Sequence, residues 1–261
     1  MAAQGDLVGG YRLGAMIGAG TAARVFEAAT PSGTPAAMKI MRGDPAGDEL
    51  AVRRFAREVR LAQSLSHPGL ARLLDQGPGW IAFERFDGAL TAPGARERHG
   101  EPAAALRLLG RLAETLVYLH GRGIVHRDVK PAQVLFRSPD EPVLIDLGIA
   151  GLVGGDPLEG AEIAGSPGWM APEQALGAPP SPAADVWSLC ALGAWLLTGR
   201  APFAGAADEV LAQRRAGREP AFDFAGLPPD SGPLLAFLAA GLTREPARRP
   251  GLRSLTALVP A

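Results

Sequence analysis

The sequence predicts an α+β fold: a small, mainly antiparallel β unit with one principal helix, followed by a larger unit built mainly of helices. Three observations carry this expectation. Short apolar runs separated by glycine turns fill residues 11–41, as hairpin strands do. The period then lengthens over residues 48–65, where apolar side chains recur at helical spacing. From residue 101 onward, long apolar or amphipathic stretches replace the short runs. At 261 residues, 47% hydrophobic and 20% charged, the chain holds enough apolar material for one two-part core.

Taken in order, residues 11–17 alternate apolar with other side chains, and a glycine turn leads to further strands at 23–28 and 36–41. In the helix at 48–65, Leu50, Phe55, Val59, Ala62 and Leu65 are expected to line one face, with Arg53, Arg54, Arg57 and Arg60 elsewhere. His67-Pro68-Gly69 stops it. Residues 70–74 and 80–83 read as two more strands and 85–88 as a connector. Helices follow at 103–120, 185–198, 234–242 and 252–258, with Trp187 and Trp195 as core fillers. The Gly/Pro-rich stretch 151–182 has little regular pattern, which in a folded domain usually marks function.

The net charge of -1 argues against nucleic acid or an anionic membrane surface as partner. A single cysteine, Cys190, excludes a disulfide framework and fits a reducing compartment; its apolar neighbours place it in the core. Residues 1–11 do not read as a signal peptide, and the longest apolar stretch, 189–197, falls short of the roughly 20 residues that span a bilayer. A cytoplasmic location without a membrane anchor is expected.

The chemistry concentrates in His126-Arg127-Asp128-Val129-Lys130-Pro131-Ala132-Gln133 and in Asp146-Leu147-Gly148. Phosphoryl transfer needs a carboxylate to take up the acceptor proton, a cation on the moving phosphate, and metal ligands. Asp128 and Lys130 supply the first two, and Asp146 follows the apolar run 143–145, at a strand end. Of the 26 Lys+Arg residues only Lys39 and Lys130 are lysine. Arginine is a planar fork and does not replace a compact ammonium neutrally, so retention of lysine at these two positions fits phosphate handling.

Together with Gly18-Ala19-Gly20-Thr21-Ala22-Ala23-Arg24-Val25, Ala37-Met38-Lys39, Ala171-Pro172-Glu173 and Asp185-Val186-Trp187-Ser188, these segments resemble the eukaryotic-type (Hanks-type) serine/threonine protein kinases of bacteria over nearly the whole chain. The glycine loop alone is weak; the catalytic segment, Asp-Leu-Gly and Ala-Pro-Glu in that order are specific. The resemblance implies a two-lobed protein kinase fold, with residues 1–84 as N-lobe, 85–88 as hinge and 89–261 as C-lobe. It also implies transfer of the ATP γ-phosphate to Ser or Thr of a protein substrate. Asp128 would then be the base and Lys130 would steady the γ-phosphate. Lys39 would contact the α/β-phosphates and pair with Glu58, against the simpler reading of Glu58 as an i,i+4 partner of Arg54. Backbone amides at Gly18 and Gly20 would cover the phosphates. Val25, Ala37 and Leu135 would sandwich adenine, with Ile17 among the nucleotide contacts. The hinge, Glu84 to Phe86, would bond adenine's edge, and Phe83 would limit the back pocket. Asp146 and Gln133 would hold Mg²⁺, with Mn²⁺ as the alternative. Asp185 would brace the catalytic loop, Arg248 would pair with Glu173, and Ser166 would touch Asp128 and Lys130, favouring Ser/Thr over Tyr acceptors.

Three positions depart from the family pattern. Gln133 replaces asparagine, and one added methylene displaces the amide by about 1 Å, a shift that can cost about 100-fold in rate. This motivates a second reading, a pseudokinase scaffold that binds ATP without transfer. Ala23 replaces the third loop glycine, at the least demanding position. Residues 149–164 contain no Ser, Thr or Tyr, so the usual loop phosphorylation has no acceptor there; Glu162 either supplies a fixed charge near Arg127 instead or is a solvated loop acid. With no sensor domain attached, input is expected from a regulatory partner, from operon neighbours, or from nothing at all. A small-molecule phosphotransferase ranks last, because such enzymes lack the Ala-Pro-Glu segment.

Overall fold

The computed structural model describes residues 2–20, 22–30, 32–42, 48–154 and 165–260. Contacts divide the chain into two units: Met1–Asp87 with Asp146–Gly148, and Gly88–Ile145 with Ile149–Ala261. The predicted α+β class is observed, a β-rich first unit and a helix-rich second.

The first unit is β1 (Leu7–Val8), β2 (Tyr11–Ala19), β3 (Ala23–Ala29), β4 (Pro35–Met41), α1 (Glu49–Ser64), β5 (Leu73–Gly77) and β6 (Trp80–Glu84). The strands form one antiparallel sheet in the order β1-β2-β3-β4-β6-β5. Strand alternation sorts the side chains. Tyr11, Leu13, Phe26, Ala28, Ala36, Met38, Trp80 and Ala82 form a buried cluster. Val25 pairs across the ladder with Gly18 and Lys39, and Ala37 with Phe83. Directly opposed residues share a face, so the register alone lines up Gly18, Val25, Lys39, Ala37 and Phe83 away from that cluster.

Two expectations shift. The strand placed at 70–74 is β5, Leu73–Gly77, because the two-residue turn at Pro78-Gly79 (Gly79 φ 73°) fixes the register back from Trp80 opposite Gly77. In α1, the residues expected to line the buried face are only half-buried, and Ala51 and Glu58 are the buried ones. Asp48 caps this helix, its Oδ1 accepting from the Ala51 amide at 2.9 Å.

The second unit holds β7 (Gly88–Ala89), α2 (Ala95–His99), α3 (Pro102–His120), β8 (Ile124–Val125), a 3₁₀ turn (Pro131–Gln133), β9 (Val134–Ser138), β10 (Glu141–Leu144) and β11 (Gly151–Leu152). It continues with α4 (Pro172–Ala175), α5 (Pro182–Thr198), α6 (Ala207–Arg215), α7 (Gly232–Gly241) and α8 (Leu252–Thr256). Helix α5 is apolar nearly all round and is therefore central, packed against α3 and α7; Trp187 and Cys190 are fully buried, while Trp195 is half-buried and meets Trp169 edge-on. Helix α6 carries no apolar stripe, since only Val210 and Arg214 are buried, and this hid it from a periodicity reading. Among the described residues no helix is long and apolar enough to cross a membrane.

Close approach of α2 and α5 depends on Gly100. A Cβ there would lie 2.7 Å from the Leu196 carbonyl oxygen and 2.8 Å from that of Arg96. These are backbone atoms and cannot rotate away. Gly100→Ala is expected to cost about 1–3 kcal/mol, read as a lower midpoint in urea denaturation.

Candidate functional site

Within the first unit, three charged side chains from three places converge. Lys39 sits on β4, Glu58 on the buried face of α1, and Asp146 in the segment Asp146–Gly148. Lys39 Nζ lies 2.6 Å from Glu58 Oε2 and 3.0 Å from Asp146 Oδ1. The reading of Glu58 as bridging Lys39 is thus the geometry observed. Burial by itself would lower the Lys39 ammonium, but the Glu58 and Asp146 carboxylates outweigh it and hold it above its usual range. Burial pushes the Glu58 carboxyl up, opposed by Lys39. Asp146 has φ 66°, a left-handed backbone that a non-glycine residue adopts at a cost of about 1–2 kcal/mol.

The other predicted contacts of this unit lie where the strands put them. Ile17 is half-exposed near the end of β2, Gly18 follows it, and Gly20 closes the turn, its amide donating to the Ala23 carbonyl at 2.9 Å. Val25 and Ala37 flank Lys39 on its face. Glu84 ends β6; its carboxylate accepts from the Arg72 amide at 2.9 Å. Phe86 follows, beside Arg85, whose guanidinium pairs with Glu27 at 3.0 Å.

Within the second unit, the catalytic segment runs from β8 through the 3₁₀ turn into β9, which carries Leu135. Asp128 is the centre of a dense set of donors. Its Oδ1 accepts from the Ser166 amide at 3.0 Å, and its Oδ2 accepts from Lys130 Nζ at 2.7 Å and from Gln133 Nε2 at 3.1 Å. Lys130 Nζ also donates to the Ser166 hydroxyl, so the expected Ser166–Asp128–Lys130 contact is present.

Residues behind the segment hold its backbone. Asp185, fully buried on α5, accepts from the His126 amide (2.8 Å), the Arg127 amide (2.9 Å) and His120 Nε2 (2.8 Å). Burial would raise the Asp185 carboxyl, but the His120 bond and charge, with the Arg127 amide, hold it below its usual range. His126 Nδ1 accepts from the Asp128 amide at 3.2 Å and Nε2 donates to the Ile145 carbonyl at 3.2 Å, so the ring is held at both nitrogens. Arg127 is left-handed, φ 71°, and both its peptide ends are tied: its amide to Asp185 and its carbonyl to Gln174 Nε2 at 2.7 Å.

One assignment needs correction. Glu173 pairs with Arg249, not Arg248. Arg249 spends all five N–H donors: two on the Glu173 carboxylate (2.6 and 2.8 Å) and three on the carbonyls of Ala183, Thr243 and Arg244. Arg248 points outward to Glu245 at 2.6 Å, both side chains well exposed. The two arginines are neighbours, and which one turns inward is decided by packing around Glu173. His120, Gln174 and Arg214 were also not foreseen; Arg214 lies over the Trp187 and Phe203 rings and donates to the Met170 carbonyl. Their signal in sequence is weak, because each works through a backbone atom distant in the chain. The expected Glu162–Arg127 contact lies outside the described residues.

Comparison with known proteins gives a consistent answer. The protein kinase domain family model matches residues 11–258. Serine/threonine-protein kinase PknA of Mycobacterium tuberculosis is 32% identical over 256 residues, covering 93% of this chain and 58% of that protein. Serine/threonine-protein kinase PknF of the same organism is 34% identical over 263 residues, covering 95% of this chain and 55% of that protein. A probable serine/threonine-protein kinase, PkwA of Thermomonospora curvata, is 34% identical over 213 residues, with 79% and 29% covered. The chain thus spans a little over half the length of PknA and PknF.

Proposed function

The chain belongs to the protein kinase family, and from that premise we propose that it transfers the γ-phosphate of ATP to serine or threonine of a protein substrate. The observation that carries this reading is the Asp128 carboxylate, ringed by Lys130 and the Ser166 amide in an arrangement suited to an acceptor hydroxyl. In the proposed reaction, the acceptor oxygen bonds to the γ-phosphorus, the bond to the bridging β–γ oxygen breaks, ADP leaves, and Asp128 takes up the hydroxyl proton. Lys130 neutralises charge on the moving phosphoryl group. Lys39, held by Glu58, addresses the α/β-phosphates, and Gly18 and Gly20 let backbone amides approach them. Ile17, Val25, Ala37 and Leu135 supply apolar contact to adenine, with Glu84 to Phe86 as its polar edge partner and residues 85–88 as the hinge.

A divalent cation belongs with ATP in this family. Among the described residues no group of three His, Cys, Asp or Glu side chains could hold a metal unaided. One carboxylate, Asp146, with nucleotide phosphates completing the shell, is the donor set that Mg²⁺ takes, and Mn²⁺ accepts the same oxygen ligands. When bound, the cation would offset charge on the β/γ-phosphates. We place the chain in the cytoplasm, where ATP is abundant and a single buried thiol stays reduced. A regulatory partner remains the proposed source of input. The scaffold reading is the less supported of the two, since the relatives at 32–34% identity over most of the chain are named serine/threonine-protein kinases.

The test is transfer from labelled ATP to a generic basic protein, with Mg²⁺ and Mn²⁺ in turn. Label is expected on serine and threonine with at least one cation. Nucleotide binding without incorporation under either cation would overturn the reading.

A further inference from the structure

Gln133 is the residue whose environment departs most from the role the family resemblance implies. It is buried, at the end of the 3₁₀ turn, and its backbone is pinned on both sides: its amide donates to the Lys130 carbonyl (3.0 Å) and its carbonyl accepts from the Ile145 amide (3.0 Å). The side chain turns to the base, with Nε2 donating to Asp128 Oδ2 at 3.1 Å. That oxygen also takes the Lys130 ammonium, whereas Oδ1 takes only the Ser166 amide among the contacts within hydrogen-bond distance described above. A carboxylate has about four lone-pair sites, two on each oxygen. Oδ2 is therefore filled and Oδ1 keeps one site for a further proton donor.

We propose that Gln133 serves the base rather than the metal: it is a positioning residue that closes Asp128 Oδ2, so that the acceptor hydroxyl delivers its proton to Oδ1. The extra methylene is what carries the amide from the turn to the carboxylate. On this proposal the cation in the nucleotide complex is expected to depend on Asp146 and the phosphates rather than on Gln133. This rests on the kinase reading above, and it deepens it by giving the two carboxylate oxygens of the base different tasks.

Two variants separate the roles. Gln133→Met keeps the length and apolar bulk of the side chain and removes both amide atoms. Gln133→Glu keeps the length and offers a better metal ligand, but sets a second carboxylate against Asp128. Mn²⁺ bound to the purified chain with a non-hydrolysable ATP analogue is counted by electron paramagnetic resonance, and steady-state transfer is measured on the same preparations. With Gln133→Met, kcat is expected to fall about 10- to 100-fold, the range for a lost hydrogen bond to a charged group. The Michaelis constant for ATP and the number and affinity of bound Mn²⁺ are expected to stay within about twofold of the parent. Gln133→Glu should transfer no faster than Gln133→Met. A Mn²⁺ ion lost, or bound about tenfold more weakly, in Gln133→Met would overturn the proposal, as would a Gln133→Glu chain faster than Gln133→Met. An unaltered chain that binds nucleotide and transfers nothing overturns the kinase reading itself, a result distinct from either variant outcome.

Discussion

Asp128→Asn is expected to lower phosphoryl transfer by about 10²- to 10⁴-fold, the span usual for loss of a general base. The substitution keeps size and shape but leaves one acceptor atom where the carboxylate has two. Three donors converge on those two oxygens: the Ser166 amide on Oδ1, and Lys130 and Gln133 on Oδ2. An asparagine amide can satisfy one side at a time. With its oxygen toward Lys130 and Gln133, its NH₂ faces the Ser166 N–H, and the substrate-side segment loses its tie to the base. The variant therefore loses both the proton acceptor and the placement of Ser166, while Lys39, Glu58 and Asp146 keep their mutual contacts in the first unit. Single-turnover transfer should show the loss, and a nucleotide-induced shift in melting temperature should persist. Transfer near the parent rate would remove Asp128 from the role of base.

Arg249→Ala is expected to destabilise the chain by about 3–5 kcal/mol, because it strands a half-buried carboxylate among groups arranged for a cation. The guanidinium ties α4, through Glu173, to the start of α5 at Ala183 and to the Thr243 and Arg244 carbonyls, so one truncation unsatisfies five acceptors. Against a typical total stability of about 5–15 kcal/mol, such a loss leaves little margin at growth temperature. The neighbouring truncation, Arg248→Ala, breaks only an exposed pair with Glu245 and should cost at most about 1 kcal/mol. Urea denaturation of the two variants side by side makes the contrast. Equal midpoints would contradict the bidentate arrangement.

That pair of arginines shows where a sequence stops being informative. Both stand in the same local context, and only the burial around Glu173 distinguishes them. Lys39, Asp128, Lys130 and Asp146 were legible because their chemistry needs particular groups, and two of them are the chain's lysines. The strands of the first unit were legible because alternation is local. What escaped has non-local causes. The start of β5 follows from a turn that sets register from its far end. Helix α6 buries Val210 and an arginine, Arg214, and so carries no stripe to read. The buried face of α1 is defined by Glu58, a charged residue that periodicity assigns to solvent and that Lys39 draws inward.

The central position of α5 has a practical consequence at Cys190. The chain's single thiol is fully buried, its Sγ facing the Phe237 carbonyl, and burial pushes its pKa up. Alkylating reagents attack the thiolate, so the native protein is a silent substrate for them. Modification at Cys190 therefore proceeds only through molecules in which α5 has come away from its neighbours, and its rate is a clock for that opening. Each 1.4 kcal/mol removed from the helical unit should speed the clock about tenfold.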